Sequence, residues 1–418
     1  MTSESNRNIH SPLAYSMEVS SPAHFHQFFL RLSDGPNAKG LCMVRNNDQD
    51  KIDNRKKING NSATHSPVLA NEILSLVNVH LSGELSKTYV DGTLGLAGHA
   101  GALLTEVPNL TLVGLDKDAQ SIQIAIDRLK NLGVYDRCAI YNDSFDNFDL
   151  YVEKKESAGV DFLLLDLGFS SYQIEDQTRG FSYRLNSKLD MRMNSQQGIS
   201  AYEVVNRFDP LDLSNILKVY GDEKFSRKIA QAICDNRPIE TTFELNQVIK
   251  TAIPAATRRT GGHPSQRTFQ AIRIYVNSEF EHLYTALNKG LRYVAIGGLI
   301  VVLTYHSGED RLVKNIFDLA VKGKCKCPDT IQCVCGAEKL FEFPLARKGL
   351  RPGQNELNEN PRARSAHLRA IKRTSHDNAD DLNEVYESIS RALPIDRYVY
   401  RLQHSPTDTT LQALRKVD

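Results

Sequence analysis

From His65 onward, short unbroken apolar runs alternate with stretches in which apolar residues recur every three or four positions. An unbroken run of strand length, bounded by turn residues, reads as a strand buried on both faces, and the longer period reads as an amphipathic helix. His65-Ser-Pro-Val-Leu69 opens the ordered region and Ala70–Val77 follows as a helix. A β-prone segment ends in Asp91, Ala100-Gly-Ala-Leu-Leu104 begins a helix, and Leu110–Leu115 is a second strand. Ile122, Ile126 and Leu129 share one face of the next helix, for which Asp118 is a suitable cap. Cys138–Tyr141 and Val160–Leu165 read as strands three and four. The strand signal then stops, and helical periodicity runs through Leu211–Val219, Lys224–Cys234 and Phe243–Thr251. A long helix over Arg267–Leu287 and a fifth strand over Gly297–Thr304 resume the alternation, and Lys339–Phe343 pairs with Ala366–Lys372 as a last hairpin.

This order predicts an α/β fold, a doubly wound Rossmann-like sheet. Residues 63–171 and 266–374 would form its two parts, with an all-helical, substrate-binding subdomain over 172–265 inserted between them. Residues 375–418 are a C-terminal extension with one helical stretch. Residues 1–62 are polar and aperiodic, and read as a disordered or targeting extension with a short amphipathic piece at His24–Leu32.

Composition narrows the function classes. With 41% hydrophobic residues the chain suits a globular protein, and its longest apolar runs, Phe162–Leu165 and Leu299–Leu303, are too short to cross a membrane as helices. The net charge is only +1, so a nucleic-acid partner would be held by local basic patches rather than a global field. Seven cysteines, four of them clustered, argue against a secreted disulfide framework and for a reducing compartment.

The chemistry centres on Asp91-Gly-Thr-Leu-Gly-Leu-Ala-Gly-His99. Glycines at 92, 95 and 98 allow a tight strand-to-helix turn with accessible amides, and Asp116 stands at the end of the next strand, where a ribose diol is commonly gripped. The loop is neither Gly-x-Gly-x-x-Gly nor a P-loop, and His99 crowds the place of a pyrophosphate, so S-adenosylmethionine fits better than a dinucleotide. A purely structural turn is the alternative. The predicted strand ends carry Asp91, Asp116, Phe145, Asp166 and His306, and would converge on one crevice.

Asp166-Leu-Gly-Phe-Ser-Ser171 is the most suggestive of these ends. An acceptor carboxylate can hold the hydrogens of an exocyclic amine and aim its lone pair, and Phe169 can stack on the base. Alternatively, Asp166 caps a turn and Phe169 is core. Arg258, Arg259, Arg267 and Arg273 mix with aromatic groups as a candidate RNA-backbone contact, and Arg362–Arg369 is a second basic run. Ser307 with Asp310 fits a capping box, which leaves His306 open for the pocket. Cys325, Cys327, Cys333 and Cys335 pair as Cys-x-Cys, a tighter spacing than usual structural zinc sites, so reduced loop thiols without metal are the favoured reading.

These motifs together resemble the RsmH/MraW family of S-adenosylmethionine-dependent ribosomal RNA (cytosine-N4)-methyltransferases. The loop and the Asp166 motif carry the resemblance with His65-Ser-Pro-Val-Leu69, Arg179-Gly-Phe-Ser182, Leu189-Asp-Met-Arg-Met193 and Tyr220-Gly-Asp-Glu223. So do Arg267-Thr-Phe-Gln-Ala-Ile-Arg273, His306-Ser-Gly-Glu-Asp310 and Asn360-Pro-Arg-Ala-Arg-Ser365, all in family order. The resemblance implies cofactor contacts at Ala97, Gly98, His99, Asp116, Phe145, Asp166 and Gln173, and a catalytic role for Asp166. Substrate contacts are then expected at Phe169, Arg258, Arg259, Arg267, Arg273 and His306. Ala97, Phe169 and Gly308 depart from the usual family residues. If the backbone at Ala97 takes positive φ, its Cβ is placed where glycine would be preferred.

The expected partner is small-subunit ribosomal RNA or a ribosomal particle, with no membrane and a homodimer as the possible assembly. The long extensions point to a eukaryotic, mitochondrial branch, with the cytoplasm as the alternative. A second functional expectation is an RNA-binding ribosome assembly factor of weak activity that retains the fold.

Overall fold

The computed structural model describes residues 67–152, 159–168, 176, 179–195, 198–255, 263–325, 327, 334–374 and 379–400. The expectations for residues 1–62 and for Phe169, Gln173, Arg258, Arg259 and Cys333 fall outside the described residues.

The strands are β1 (Lys87–Asp91), β2 (Leu110–Leu115), β3 (Cys138–Tyr141), β4 (Val160–Asp166), β5 (Val294–Thr304), β6 (Phe341–Glu342) and β7 (His367–Arg373). They form one seven-stranded sheet in the order β3-β2-β1-β4-β5-β7-β6. The first five run parallel, while β7 is antiparallel to both β5 and β6. This is a Rossmann-like α/β sheet with one reversed strand near its edge. The strand order reverses between β1 and β4, and a crevice opens beyond their carboxyl ends at such a point.

The unbroken apolar run of β4 has a direct structural cause. Leu163 and Leu165 enter one buried cluster together with Ile300 and Val302, whereas Phe162 and Leu164 enter the opposite one with Val301 and Leu303. Successive side chains alternate faces, so a strand covered on both faces must be apolar throughout. Helices α1 (Ala70–His80), α2 (Gly98–Glu106) and α3 (Ala119–Asn131) contribute to the core around β1 and β2, with α3 capped by Asp118 as its sequence indicates.

Between β4 and β5 lie α4 (Ala201–Arg207), α5 (Pro210–Gly221), α6 (Ser226–Asp235), α7 (Thr242–Ala252), α8 (Gln266–Val276) and α9 (Glu279–Tyr293). Their starts are chemically defined: Ser200 with Glu203 and Thr241 with Glu244 form capping boxes, and Asp209 caps α5 ahead of Pro210. A Cβ on Gly221 would lie 2.6 Å from the Arg267 carbonyl, so that glycine lets α5 and α8 cross closely. One long helix over Arg267–Leu287 is not what forms. The chain breaks at Asn277 and Ser278, the latter with φ +49°, because the Asn277 side chain bonds the Met193 N–H at 2.7 Å and the Met191 carbonyl at 2.8 Å.

After β5 come α10 (Ser307–Lys322), α11 (Gln354–Glu359) and α12 (Ala379–Ala392). The C-terminal stretch is integral to the fold: Val385, Ile389, Leu393, Tyr398 and Val399 join the larger buried cluster. Tyr400 then fastens it to α5, donating to Asp212 Oδ1 at 2.6 Å and accepting from Asn215 at 3.0 Å.

Gly92 is the tightest glycine at the crevice. A Cβ there would lie 2.8 Å from Phe145 Cβ and 2.5 Å from Leu165 Cδ2. Gly92→Ala is therefore expected to cost about 1–3 kcal/mol through overpacking. Denaturant titration would measure it, and unchanged stability would show that the Phe145 backbone yields freely.

Candidate active site

The loop leaving β1 is held by its own polar groups. Asp91 is only 2% exposed and accepts from Tyr89 Oη at 2.7 Å and from the Thr93 N–H at 3.1 Å. Burial pushes its carboxyl up to about 6, with those hydrogen bonds opposing the rise. Gly95, at φ +52°, donates its N–H to Asp116 Oδ2 at 2.7 Å. Ala97 also takes positive φ, +54°, at the start of α2, in a region that costs an L-residue about 1–2 kcal/mol. Its methyl group belongs to the buried apolar cluster with Leu94 and Ala100, which offsets that strain by packing. Helix α2 starts without a side-chain cap and with no acidic residue in its first turn. The first N–H groups of such a helix have no intrahelical acceptor and favour an anionic group.

At the end of β2, each oxygen of Asp116 accepts one backbone N–H: Oδ2 from Gly95 and Oδ1 from Asp118, the latter at 2.8 Å. A carboxylate oxygen has two lone pairs, so both oxygens retain capacity for a hydroxyl donor. Burial raises this carboxyl to about 6 as well, against the pull of the Asp118 and Gly95 amides. The sign is opposite to that of a paired surface acid. Because both folded-state values, about 6, lie above the ordinary 3.8, the native state binds these protons more tightly than the unfolded chain. The ligand-free fold therefore loses stability as pH rises from about 4 to 6.

Phe145 follows β3, half-buried, with its Cβ against Gly92 and its ring edge-on to His282 at 6.2 Å between centroids. His282 in turn lies 2.8 Å from Asp146, whose carboxyl is held down at about 2 despite its burial. One wall of the crevice is thus fixed to α9.

Asp166 ends β4, where two hydrogen bonds fix it and His99 lies beside it. Its N–H donates to Thr93 Oγ1 at 2.6 Å, so the loop after β1 and the end of β4 are locked together. Tyr305 Oη donates to Asp166 Oδ1 at 2.8 Å, and His99 Nε2 lies 3.4 Å from Oδ2. His99 is 7% exposed, and its Nε2 has no hydrogen-bond partner among the described residues. Burial, followed by the Asp166 charge, pushes the Tyr305 hydroxyl far above its ordinary range, so it stays a neutral donor. Tyr305 was not among the residues the sequence singled out. Its position directly after β5, beside His306, was the available signal.

Several expected substrate residues have other work. His306, not Ser307, caps α10: its Nδ1 accepts from the Gly308 and Glu309 N–H groups at 3.2 and 3.4 Å. Its Nε2 lies 2.9 Å from Glu309, and its ring stacks on Phe280. Asp310, the other member of the expected capping box, instead takes a bidentate pair from Arg369 at 2.7 and 3.0 Å. Arg369 is 7% exposed, which removes it from the second basic run as a phosphate contact. Arg273 is likewise withdrawn from any RNA backbone, forming two 2.7 Å hydrogen bonds to Glu279. Arg267 and Arg364 remain exposed. The Arg179 motif is explained too: Arg179 pairs with Asp118 at 2.5 Å and bonds the Met193 carbonyl at 2.6 Å, tying the residues after β4 to the Asp116 turn.

Comparison with known proteins places the chain in a family. The chain is 40% identical over 314 residues to ribosomal RNA small subunit methyltransferase H of Halothermothrix orenii, covering 74% of this chain and 98% of that protein. The protein of the same name from Clostridium botulinum is 41% identical over 314 residues, with the same two coverages, 74% and 98%. That from Fusobacterium nucleatum is 42% identical over 315 residues, covering 74% of this chain and 96% of the relative. The family model described as the MraW methylase family matches residues 62–374, which include every strand of the sheet and all of the crevice residues above. The chain belongs to the MraW methylase family.

Proposed function

We propose that this protein transfers the methyl group of S-adenosylmethionine to the N4 amine of a cytidine in small-subunit ribosomal RNA. The names of the bacterial relatives support the substrate class. The observation that carries the chemistry is the Asp166 carboxylate, held between Tyr305 Oη and His99 at the end of β4. The cofactor would supply a methyl carbon made electrophilic by its sulfonium charge. The residues fit it on three counts. Asp116 offers unfilled acceptor positions to a ribose diol, the uncapped start of α2 suits a carboxylate, and Asp91, Asp116 and Asp166 favour a cation.

The acceptor amine is a weak nucleophile because its lone pair is delocalised into the ring. Asp166 accepts one amine hydrogen and so restores lone-pair density at nitrogen. Tyr305 keeps one carboxylate oxygen occupied, which fixes the plane of the group and leaves Oδ2 to face His99 or the amine. Alignment supplies most of the acceleration in such a transfer. The target base must leave its stack to reach the crevice, and the exposed Arg267 and Arg364 provide charge for the RNA backbone.

Two measurements test this reading. Cofactor binding should depend on ionised Asp116, whose carboxyl sits at about 6 without ligand. Affinity is then full above that pH and falls by up to about tenfold per unit below it, with proton release on binding. Asp116→Asn should flatten the slope by roughly one proton and weaken binding by about 1–3 kcal/mol. Calorimetry across pH 5 to 8 decides it, and a wild-type slope in the variant would move the ribose elsewhere.

Asp166→Ala, measured at saturating cofactor in single turnover, should lose about 10²–10³ in rate, the usual cost of a missing transition-state hydrogen bond. Asp166→Asn keeps an acceptor oxygen and should lose less. Wild-type turnover in Asp166→Ala would exclude the amine-orienting role. Wild-type protein that binds cofactor and RNA yet leaves no N4-methylcytidine would favour the assembly-factor reading.

A further inference from the structure

We propose that Cys325, Cys327 and Cys335 bind a zinc ion that staples the loop between α10 and β6. Their three sulfur atoms all lie within 4.8 Å of one another, and Cys325 Sγ is 3.6 Å from Cys335 Sγ. Two thiolates bound tetrahedrally at about 2.3 Å from zinc stand about 3.8 Å apart. Disulfide sulfurs stand about 2.05 Å apart. The observed 3.6 Å, spanned here by an S–H···S hydrogen bond, excludes a covalent bond and is close to the separation that two zinc-bound thiolates require.

Apolar packing among the described residues does not account for the meeting of the thiols. Cys325 follows the end of α10, its N–H bonded to the Lys322 carbonyl at 3.0 Å after Gly323 turns the chain at φ +52°. Val334 is 85% exposed, and the residues from there to Lys339 are exposed or half-buried, so apolar packing does not gather this segment. A segment without a core of its own is the usual setting for a metal staple. The short Cys-x-Cys spacing, which in sequence argued against zinc, does not keep the Cys325 and Cys327 sulfurs from converging, since both lie within 4.8 Å of each other and of Cys335. Binding needs no redox partner. Each of the three thiols gives its proton to solvent, and each thiolate displaces a water molecule from the hydrated ion, so the three thiolates and the divalent metal together carry a net charge of −1.

The test uses the full chain, purified under reducing conditions without chelator. Elemental analysis should find about one zinc per chain, and reconstitution with Co²⁺ should give the charge-transfer and visible d–d absorption of a tetrahedral thiolate site. Cys325→Ser combined with Cys335→Ser should lose the metal, whereas Cys138→Ser, in β3 and outside the cluster, should keep it. Chelation of the wild type should release the ion and lower Tm. Wild-type protein that binds neither zinc nor cobalt through thiolates overturns the proposal. So does a Cys325–Cys335 disulfide formed in preference to metal when zinc is supplied, read by intact mass without reductant. If the double variant does not fold, the wild-type zinc and cobalt measurements decide alone.

Discussion

The crevice depends on one short loop being tied on both sides. Thr93 Oγ1 accepts the Asp166 N–H, and Gly95 donates to the Asp116 carboxylate, so the turn after β1 sets the positions of the ends of β4 and β2 together. The neutral Thr93–Asp166 bond contributes a net of about 1 kcal/mol, and the Gly95–Asp116 bond about 1.5–3 kcal/mol when the carboxyl is ionised. Their effect is geometric. The parallel sheet brings β2, β1 and β4 side by side, and these bonds convert that adjacency into fixed placement of two carboxylates. Gly92 completes the arrangement by leaving room for Phe145 against the same loop.

That geometry conflicts with stability. Asp91 and Asp116 are buried where their charged forms are disfavoured, and backbone amides only partly compensate. Ala97 adds backbone strain at the start of a helix that lacks a cap. Positive φ and uncapped helix starts also occur away from the crevice, as at Leu69 and Ser278, so what marks the crevice is its pair of buried carboxyls raised to about 6. Two buried carboxyls in one crevice are the kind of costly feature that a bound ligand would stabilise. A bound cation with hydroxyl donors would stabilise the acids, and a carboxylate would satisfy the helix start.

Much of this was legible in the sequence because parallel strands and glycine turns leave strong local signatures. The strand ends at Asp116 and Asp166 could be located from apolar runs, and Asp91 from the glycine loop that follows a β-prone segment. Side-chain partners could not, because they come from distant positions. Arg273 and Arg369 read as basic groups on a surface until Glu279 and Asp310 are placed beside them. His306 and Ser307 are adjacent, so a cap shifted by one residue exchanges their roles. Tyr305 had no motif of its own, and its importance arises only when β5 lies next to β4. The break at Ser278 was hidden for a related reason, since the Asn277 side chain that enforces it answers to Met191 and Met193.

Those last contacts link the helices to the crevice. Asn277 lies at the break between α8 and α9 and holds the backbone of Met191 and Met193. Arg179 binds the Met193 carbonyl and the Asp118 carboxylate, and the Asp118 N–H bonds Asp116. A continuous polar chain therefore runs from the α8–α9 break to the acid assigned to the ribose. Arg267, exposed and donating to the Asp222 carbonyl at 3.2 Å, sits on α8. A polynucleotide bearing on α8 would press on the same element that ends in Asn277. The fold thus gives α8 and the Asp116 turn a shared mechanical support, which under the proposed function would join the RNA contact to the cofactor acid without direct contact between the two ligands.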